Sequence, residues 1–502
     1  MNKQEAYDWL LNQHKETSYL ESMRNLLGWD QRTQMPSKGH SHRASQLANM
    51  AKFIHARRTD PQIGEMLSAA EGTQLLADPR SVEAVNVREW RRAYDRAVKI
   101  PEKLAVELAR VGAEAETVWQ EARPKNDWTS FKSYLQRIVA LKREEAESLG
   151  YSNEPYDALL DDYEPGETAR ALEPLLAELR NGLVDLLGRI EGSSQKPNTT
   201  FLHQDFPPYD QEVFARKVVK RIGYDFEAGR LDPTAHPFSV DIGPGDVRIT
   251  TRYDTGFLNT GVFGAIHEAG HAIYQQGLLA EHWGTPMGQA ISLGIHESQS
   301  RLWENLVGRS LSFWKHFYPM AQKHFSALQD VTVEVFHLAI NAVRPSLIRT
   351  EADEVTYNLH ILLRFELELA LLREDLEVES LPEAWNEKMK TYLGLTPPDF
   401  SSGVMQDIHW AIGAMGYFPT YTLGNLYAAQ LFKTAAKELG NLDERMSTGE
   451  FGPLLEWLRR KIHVQGSRYL PRDLIREATG EDLDPNHLID YLETKYVALY
   501  GL

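Results

Sequence analysis

Residues 261–277 read GVFGAIHEAGHAIYQQG, and the run His267-Glu268-Ala269-Gly270-His271 at its centre decides how the rest of the chain is read. On a helix, histidines four residues apart stand on one face, where both imidazoles reach a single zinc ion while Glu268 leans toward the open coordination position. The competing reading is a buried amphipathic helix with two hydrogen-bonded histidines. A third ligand separates the two.

Glu297 fills that place. It lies 26 residues beyond His271, in LGIHESQSRLWE at 293–304, a second helical pattern. Two neutral imidazoles and one carboxylate leave the fourth position open, which makes a catalytic rather than a structural site, the HExxH arrangement of zinc peptidases. His296, next to Glu297, points about 100° away on a helix and is read as a supporting or core histidine.

Around these two helices the composition is that of a large folded body. The 502 residues are 42% apolar and 10% aromatic, enough for a substantial core and against disorder. Asp and Glu outnumber Lys and Arg by 71 to 54, and the formal charge of -17 repels a phosphate backbone, so nucleic acid is excluded as a partner. With no cysteine, thiol chemistry is absent and any zinc ligands are His and carboxylate. No apolar run suits a signal peptide or a membrane span, and the expectation is a soluble cytoplasmic protein without a membrane partner.

The expected fold is mostly α, one large helical unit over 1–502, with an N-terminal half at 1–200 covering a groove and a metal-binding half at 201–502. Residues 3 to about 123 read as successive helices, Pro101 opening Glu102–Glu121 in its first turn and Asp127 capping the helix that ends near Gly150. A helix from Thr168 ends at Gly192, and residues 193–200 form the best linker. From Pro233 to about Thr255 polar and apolar residues alternate around Gly243-Pro244-Gly245, a small sheet whose edge can hold an extended peptide. After the metal helices the chain is helical to about Leu393, interrupted at Pro345.

Two further stretches carry polar groups suited to face a metal. In IRTEADEVTY at 348–357, Asp353 is expected to orient a ligand imidazole. In GVMQDIHW at 403–410, followed by Tyr417 and Tyr421, an isolated Asp407 and His409 in a Gly-rich aromatic setting suit oxyanion donors.

These stretches together, HPF at 236–238, DVRIT at 246–250, HEAGH at 267–271, HESQ at 296–299, IRTEADEVTY and GVMQDIHW, with WDQRTQMPSKGHSHRASQLA at 29–48, resemble the carboxypeptidase Taq family over nearly the whole chain. The resemblance implies an elongated helical body with a deep groove, similar to neurolysin and angiotensin-converting enzyme, and a homodimer. It implies metal-dependent removal of single residues from peptide C-termini with broad preference, zinc being the cofactor and cobalt a substitute. Carried over by position, His267, His271 and Glu297 hold the metal and Glu268 is the general base. Arg349 grips the substrate carboxylate, with His236, Asp407 and Tyr417 beside it, and His409 and Tyr421 stabilise the tetrahedral intermediate. Tyr417 rivals Tyr421 in that role. An oligopeptidase or dipeptidyl carboxypeptidase on the same scaffold is the alternative, differing in where the cation that binds the terminal carboxylate sits, and a non-catalytic peptide binder is disfavoured by Glu268.

Overall fold

The computed structural model describes residues 3–71 and 76–502, so the part of the predicted helical succession at 72–75 lies outside the described residues. Helices dominate because the periodic stretches carry their own start and stop signals. Asp127 Oδ1 accepts from Ser130 N at 3.1 Å and opens Trp128–Leu149, which Gly150 ends at φ +80°. Thr168 caps Ala169–Gly192 in the same way. Pro101 stands just before Glu102–Ala122 rather than inside its first turn, and its carbonyl accepts from Ala105 N. Past the metal region the helical stretch is more broken than expected: a π-helical segment at Leu302–Val307, then Leu311–His324, Val333–Ile340, Thr356–Leu372 and Leu381–Leu393, with irregular chain around Pro345.

The small sheet has the order β1-β3-β2. Strands β2 (Ser239–Gly243) and β3 (Asp246–Thr251) form the predicted hairpin around Pro244, antiparallel, and β1 (Leu231–Pro233) adds to β3 in parallel. The sheet braces the helix Leu258–Gly277, Thr251 Oγ1 donating to the Gly261 carbonyl at 3.1 Å. The carbonyls of Asp241 and Ile242, at the far end of β2, accept from Asn25 and Ser22 of the helix Lys3–Thr33.

One continuous core runs from Ala122 to Tyr500 and draws on both sides of residue 200, while Tyr7, Leu10, Ile63, Leu67, Val87 and Trp90 form a smaller cluster near the N-terminus. The helix Leu258–Gly277 is sunk in the main core except at Asn259 and Gln276–Gly277 near its ends and along Thr260, Gly264, His267, His271 and Gln275, a single face at steps of four, three, four and four. Two glycines let its neighbours close in. A Cβ at Gly270 would lie 2.6 Å from Ser300 Cα, so this helix and Leu293–Arg301 meet backbone to backbone; a Cβ at Gly424 would lie 2.6 Å from Glu297 Cγ, so Pro419–Leu439 presses on the side chain of Glu297.

Candidate active site

His267 and His271 project one turn apart from the half-buried face of Leu258–Gly277, their rings 4.9 Å apart. Glu297 reaches them from Leu293–Arg301, whose start is set by Ser292 Oγ accepting from Ile295 N. Glu297 Oε2 lies 3.7 Å from His267 Nε2 and 3.3 Å from His271 Nε2. Ligands about 2.0–2.2 Å from a tetrahedral zinc are about 3.3–3.6 Å from one another. Glu297 Oε2 sits close to that spacing from each Nε2, and the three candidate ligand atoms all lie within 4.8 Å of one another. The other ring nitrogens are taken. His267 Nδ1–H donates to Glu304 Oε2 at 2.9 Å, and His271 Nδ1–H faces the His296 carbonyl at 3.1 Å and His296 Nδ1 at 2.6 Å. With the proton held on Nδ1, each Nε2 presents its lone pair to the centre.

Charge favours a cation there. Glu268, Glu297 and Glu304 surround the two imidazoles, with Arg301 contacting Glu297 Oε1 at 2.7 Å and Glu304 Oε2 at 3.3 Å. Burial pushes the Glu297 carboxyl up, but Arg301 and His267 outweigh it and hold it well below the usual carboxylate range. Glu304, buried too, is brought down to about 2 by Arg301, His267 and Arg309. Burial pulls His267 down, yet Glu297, Glu304 and Glu268 lift it to about 9. Three carboxylates against two guanidiniums, Arg301 and, at 3.6 Å from Glu304 Oε1, Arg309, still leave a negative setting that favours a dication. Glu268 is buried without a hydrogen bond or ion pair among the described residues, and burial raises its pKa.

Arg349, His267, Glu297 and Tyr421 line one cavity of about 880 Å³. Arg349 is buried; its Nε and Nη2 donate to Asp407 Oδ1 at 3.0 and 2.8 Å, its Nη1 donates to Tyr357 Oη at 3.2 Å, and the guanidinium lies 5.1 Å from the centre of the Tyr421 ring. Asp407 gives its second oxygen to Arg364, so both of its oxygens are taken by guanidiniums. His409 Nε2 is 3.3 Å from Tyr421 Oη, and the Tyr417 ring stands 5.3 Å from that of Tyr421. Burial pushes His409 down to about 4. His236 is exposed on the approach to β2, beside Pro237 of the cavity wall.

One expectation is corrected. Asp353 does not orient a ligand imidazole: its oxygens accept from Arg344 N, Val355 N, Thr356 N and Thr356 Oγ1, which fixes the start of Thr356–Leu372. Glu304 does that work, on the π-helical segment that follows the ligand helix. It closes the quoted stretch at 293–304, seven residues after Glu297, and with Arg301 at the fourth position it follows the spacing of one helical face.

The comparisons agree with this geometry. Residues 9–496 match the family described as Carboxypeptidase Taq (M32) metallopeptidase. The chain is 58% identical to thermostable carboxypeptidase 1 of Thermus thermophilus over the full length of both, and 40% identical to carboxypeptidase 1 of Bacillus subtilis over 97% of each. Its fold superposes on the M32 carboxypeptidase of Deinococcus radiodurans with a TM-score of 0.96 at 38% identity, covering 99% of this chain and 100% of that one. A mostly helical body, an HExxH helix completed by Glu297, and this likeness from end to end place the chain in the carboxypeptidase Taq (M32) family, as a metallocarboxypeptidase.

Proposed function

We propose that the chain is a zinc-dependent carboxypeptidase that releases single residues from free peptide C-termini with broad side-chain preference. The observation that carries the reading is that His267 and Glu297 share one cavity with the buried guanidinium of Arg349. A divalent ion held by His267, His271 and Glu297, zinc or its substitute cobalt, supplies Lewis acidity for the scissile carbonyl and for the attacking water.

Glu268, unpartnered and with a raised pKa, takes a proton from that water and returns it to the leaving amine once the C–N bond breaks. Arg349 has five N–H donors. Asp407 and Tyr357 engage three of them, which leaves one on each terminal nitrogen for a two-bond grip on the substrate carboxylate. Burial keeps the Tyr421 phenol protonated, and His409, neutral at pH 7 with its proton on Nε2, orients it by donating to its oxygen, so the Tyr421 O–H is available to the developing oxyanion. Tyr417 stands close enough to exchange roles with Tyr421, while Asp407 acts through Arg349 and His236 meets the peptide at the cavity edge.

Timed mass spectra of one peptide as free acid and as C-terminal amide, with and without chelator, test the reading. A ladder of single-residue losses from the free acid, abolished by chelator and slow on the amide, is expected. Internal cuts or dipeptide release at equal rates on both would replace it with an oligopeptidase. We further propose a cytoplasmic homodimer whose N-terminal 200 residues cover the groove, on the strength of the family likeness; sedimentation equilibrium reads the dimer directly.

A further inference from the structure

Residues 400–418 contain turns but no helix or strand, yet they carry Asp407, His409 and Tyr417. The path of such a stretch depends on what its side chains and amides are tied to. Phe400, Ser401, Met405 and Gln406 are tied to Asn126, Arg123, Trp119 and Leu347, while Asp407, Trp410 and Gly416 are tied to one helix, Thr356–Leu372, through Arg364 and Glu368, which lie on a common face. Arg364, fully buried, reaches Asp407 Oδ2 with Nε at 2.7 Å and Nη2 at 2.6 Å, opposite the oxygen that receives Arg349. Glu368, also fully buried, accepts Trp410 Nε1–H on Oε1 at 2.9 Å and Gly416 N–H on Oε2 at 3.1 Å; Tyr156 Oη donates to Oε2 at 2.9 Å. Trp410 follows His409 and Gly416 precedes Tyr417, so Glu368 holds the chain directly beside both. Gly416 cannot drift, since at φ +88° a Cβ there would lie 2.9 Å from the Leu159 carbonyl carbon. Neither Arg364 nor Glu368 lines the cavity.

We propose that Thr356–Leu372 is a rack with two independent points: Arg364 sets the Arg349 guanidinium through Asp407, and Glu368 sets His409 and Tyr417 against Tyr421 through Trp410 and Gly416. Both are positioning residues, and their roles rest on the function proposed above for Arg349 and Tyr421. Because one point serves substrate binding and the other the transition state, the two substitutions separate KM from kcat.

The test uses the full-length, metal-loaded enzyme with one peptide as free acid and as amide. Arg364→Lys should raise KM on the free acid at least fivefold with kcat within twofold, and leave the amide unchanged. Glu368→Gln should lower kcat at least tenfold on both peptides with KM within twofold. Tyr156→Phe removes a bond to the same carboxylate without touching residues 400–418, so it should lower Tm while kcat stays within twofold. Equal kcat losses in Glu368→Gln and Tyr156→Phe would overturn the rack, as would an Arg364→Lys whose loss is the same on acid and amide. If Glu368→Gln does not fold, Trp410→Phe decides: a threefold or larger fall in kcat at constant KM supports the rack, and an unchanged kcat overturns it. A wild-type enzyme that does not prefer the free acid would sink the proposed function, and the Glu368→Gln to wild-type ratio on either peptide would still judge the rack.

Discussion

Glu304→Gln keeps the size of the side chain and an oxygen able to accept His267 Nδ1–H, and removes only the charge. That charge is fully present at neutral pH, because Arg301, His267 and Arg309 outweigh burial and keep the carboxyl near 2. At 2.9 Å the bond is charge-assisted. Such a bond is worth ~1.5–3 kcal/mol against ~0.5–1.5 kcal/mol for a neutral one, a difference of ~1 kcal/mol or somewhat more, or roughly fivefold to tenfold. The substitution also leaves Arg301 and Arg309 short of a carboxylate, so the potential at the metal rises, and a total loss of about 10- to 100-fold in affinity is expected. The pH dependence is the sharper part. His267 is lifted to about 9 by Glu297, Glu304 and Glu268 against the opposing effect of burial, so below that pH a proton competes with the metal for Nε2. Removing the Glu304 charge lowers this pKa and eases the competition, so the loss should be largest near pH 9 and shrink toward pH 6. Competition against a chromophoric chelator at the two pH values measures it. A change below twofold at pH 9, or a loss that grows as pH falls, would refute the role given to Glu304.

Glu268→Gln should keep its metal and Tm while turnover falls ~100-fold or more, since the amide cannot accept a proton; a variant retaining over about a tenth of the wild-type rate removes the general-base assignment. Arg349→Ala should lose at least about tenfold in kcat/KM on free-acid peptides and little on their amides. Equal losses on both would move the carboxylate grip to Arg252, a cavity-wall residue, because Arg248 is already bound to Asp246 through two nitrogens and lies against the Trp29 ring. Burial, only partly offset by Tyr427, Gly294 and Ser292, pushes Glu164 up to about 8. The folded chain then holds a proton that the unfolded chain releases above about 4.5, so this contribution to stability is present at low pH and lost as pH rises toward 8. Glu164→Gln should therefore gain on wild type between pH 5 and 8, by up to about 3–5 kcal/mol; parallel urea curves at the two pH values would contradict this.

What could be read from the sequence was local. Asp127 and Thr168 announce helix starts because a cap is a side chain bonded to an amide two or three residues on. The β2–β3 hairpin is legible from its alternation about Pro244, whereas β1 is three residues long and ends in proline, too short for a period to show. The candidate metal group, His267, His271 and Glu297, is legible for the same reason as the caps, each residue lying in a short motif with fixed spacing. Asp353 and Glu304 show the limit. Both are carboxylates near the motifs, but which of them meets an imidazole depends on how two helices cross, and Asp353 is drawn away by the amides of the helix it starts.

The crossing itself is nevertheless written into the motif. Of the residues between the two histidines, Glu268 is the proposed base and Gly270 serves the packing: any side chain at Gly270 would strike Ser300 and push Leu293–Arg301 away. A displacement of about 1 Å would take Glu297 Oε2 out of the 3.3–3.7 Å range in which it completes the coordination face. Gly424 closes the opposite side, where the helix Pro419–Leu439 meets Glu297 at van der Waals distance and also carries Tyr421. Glu297 and Tyr421, the proposed third ligand and oxyanion donor, are thus placed by the same two absent side chains. The spacing between Glu297 and Tyr421 therefore rests on backbone contact at Gly270 and on the Glu297 side chain lying against the backbone of Gly424.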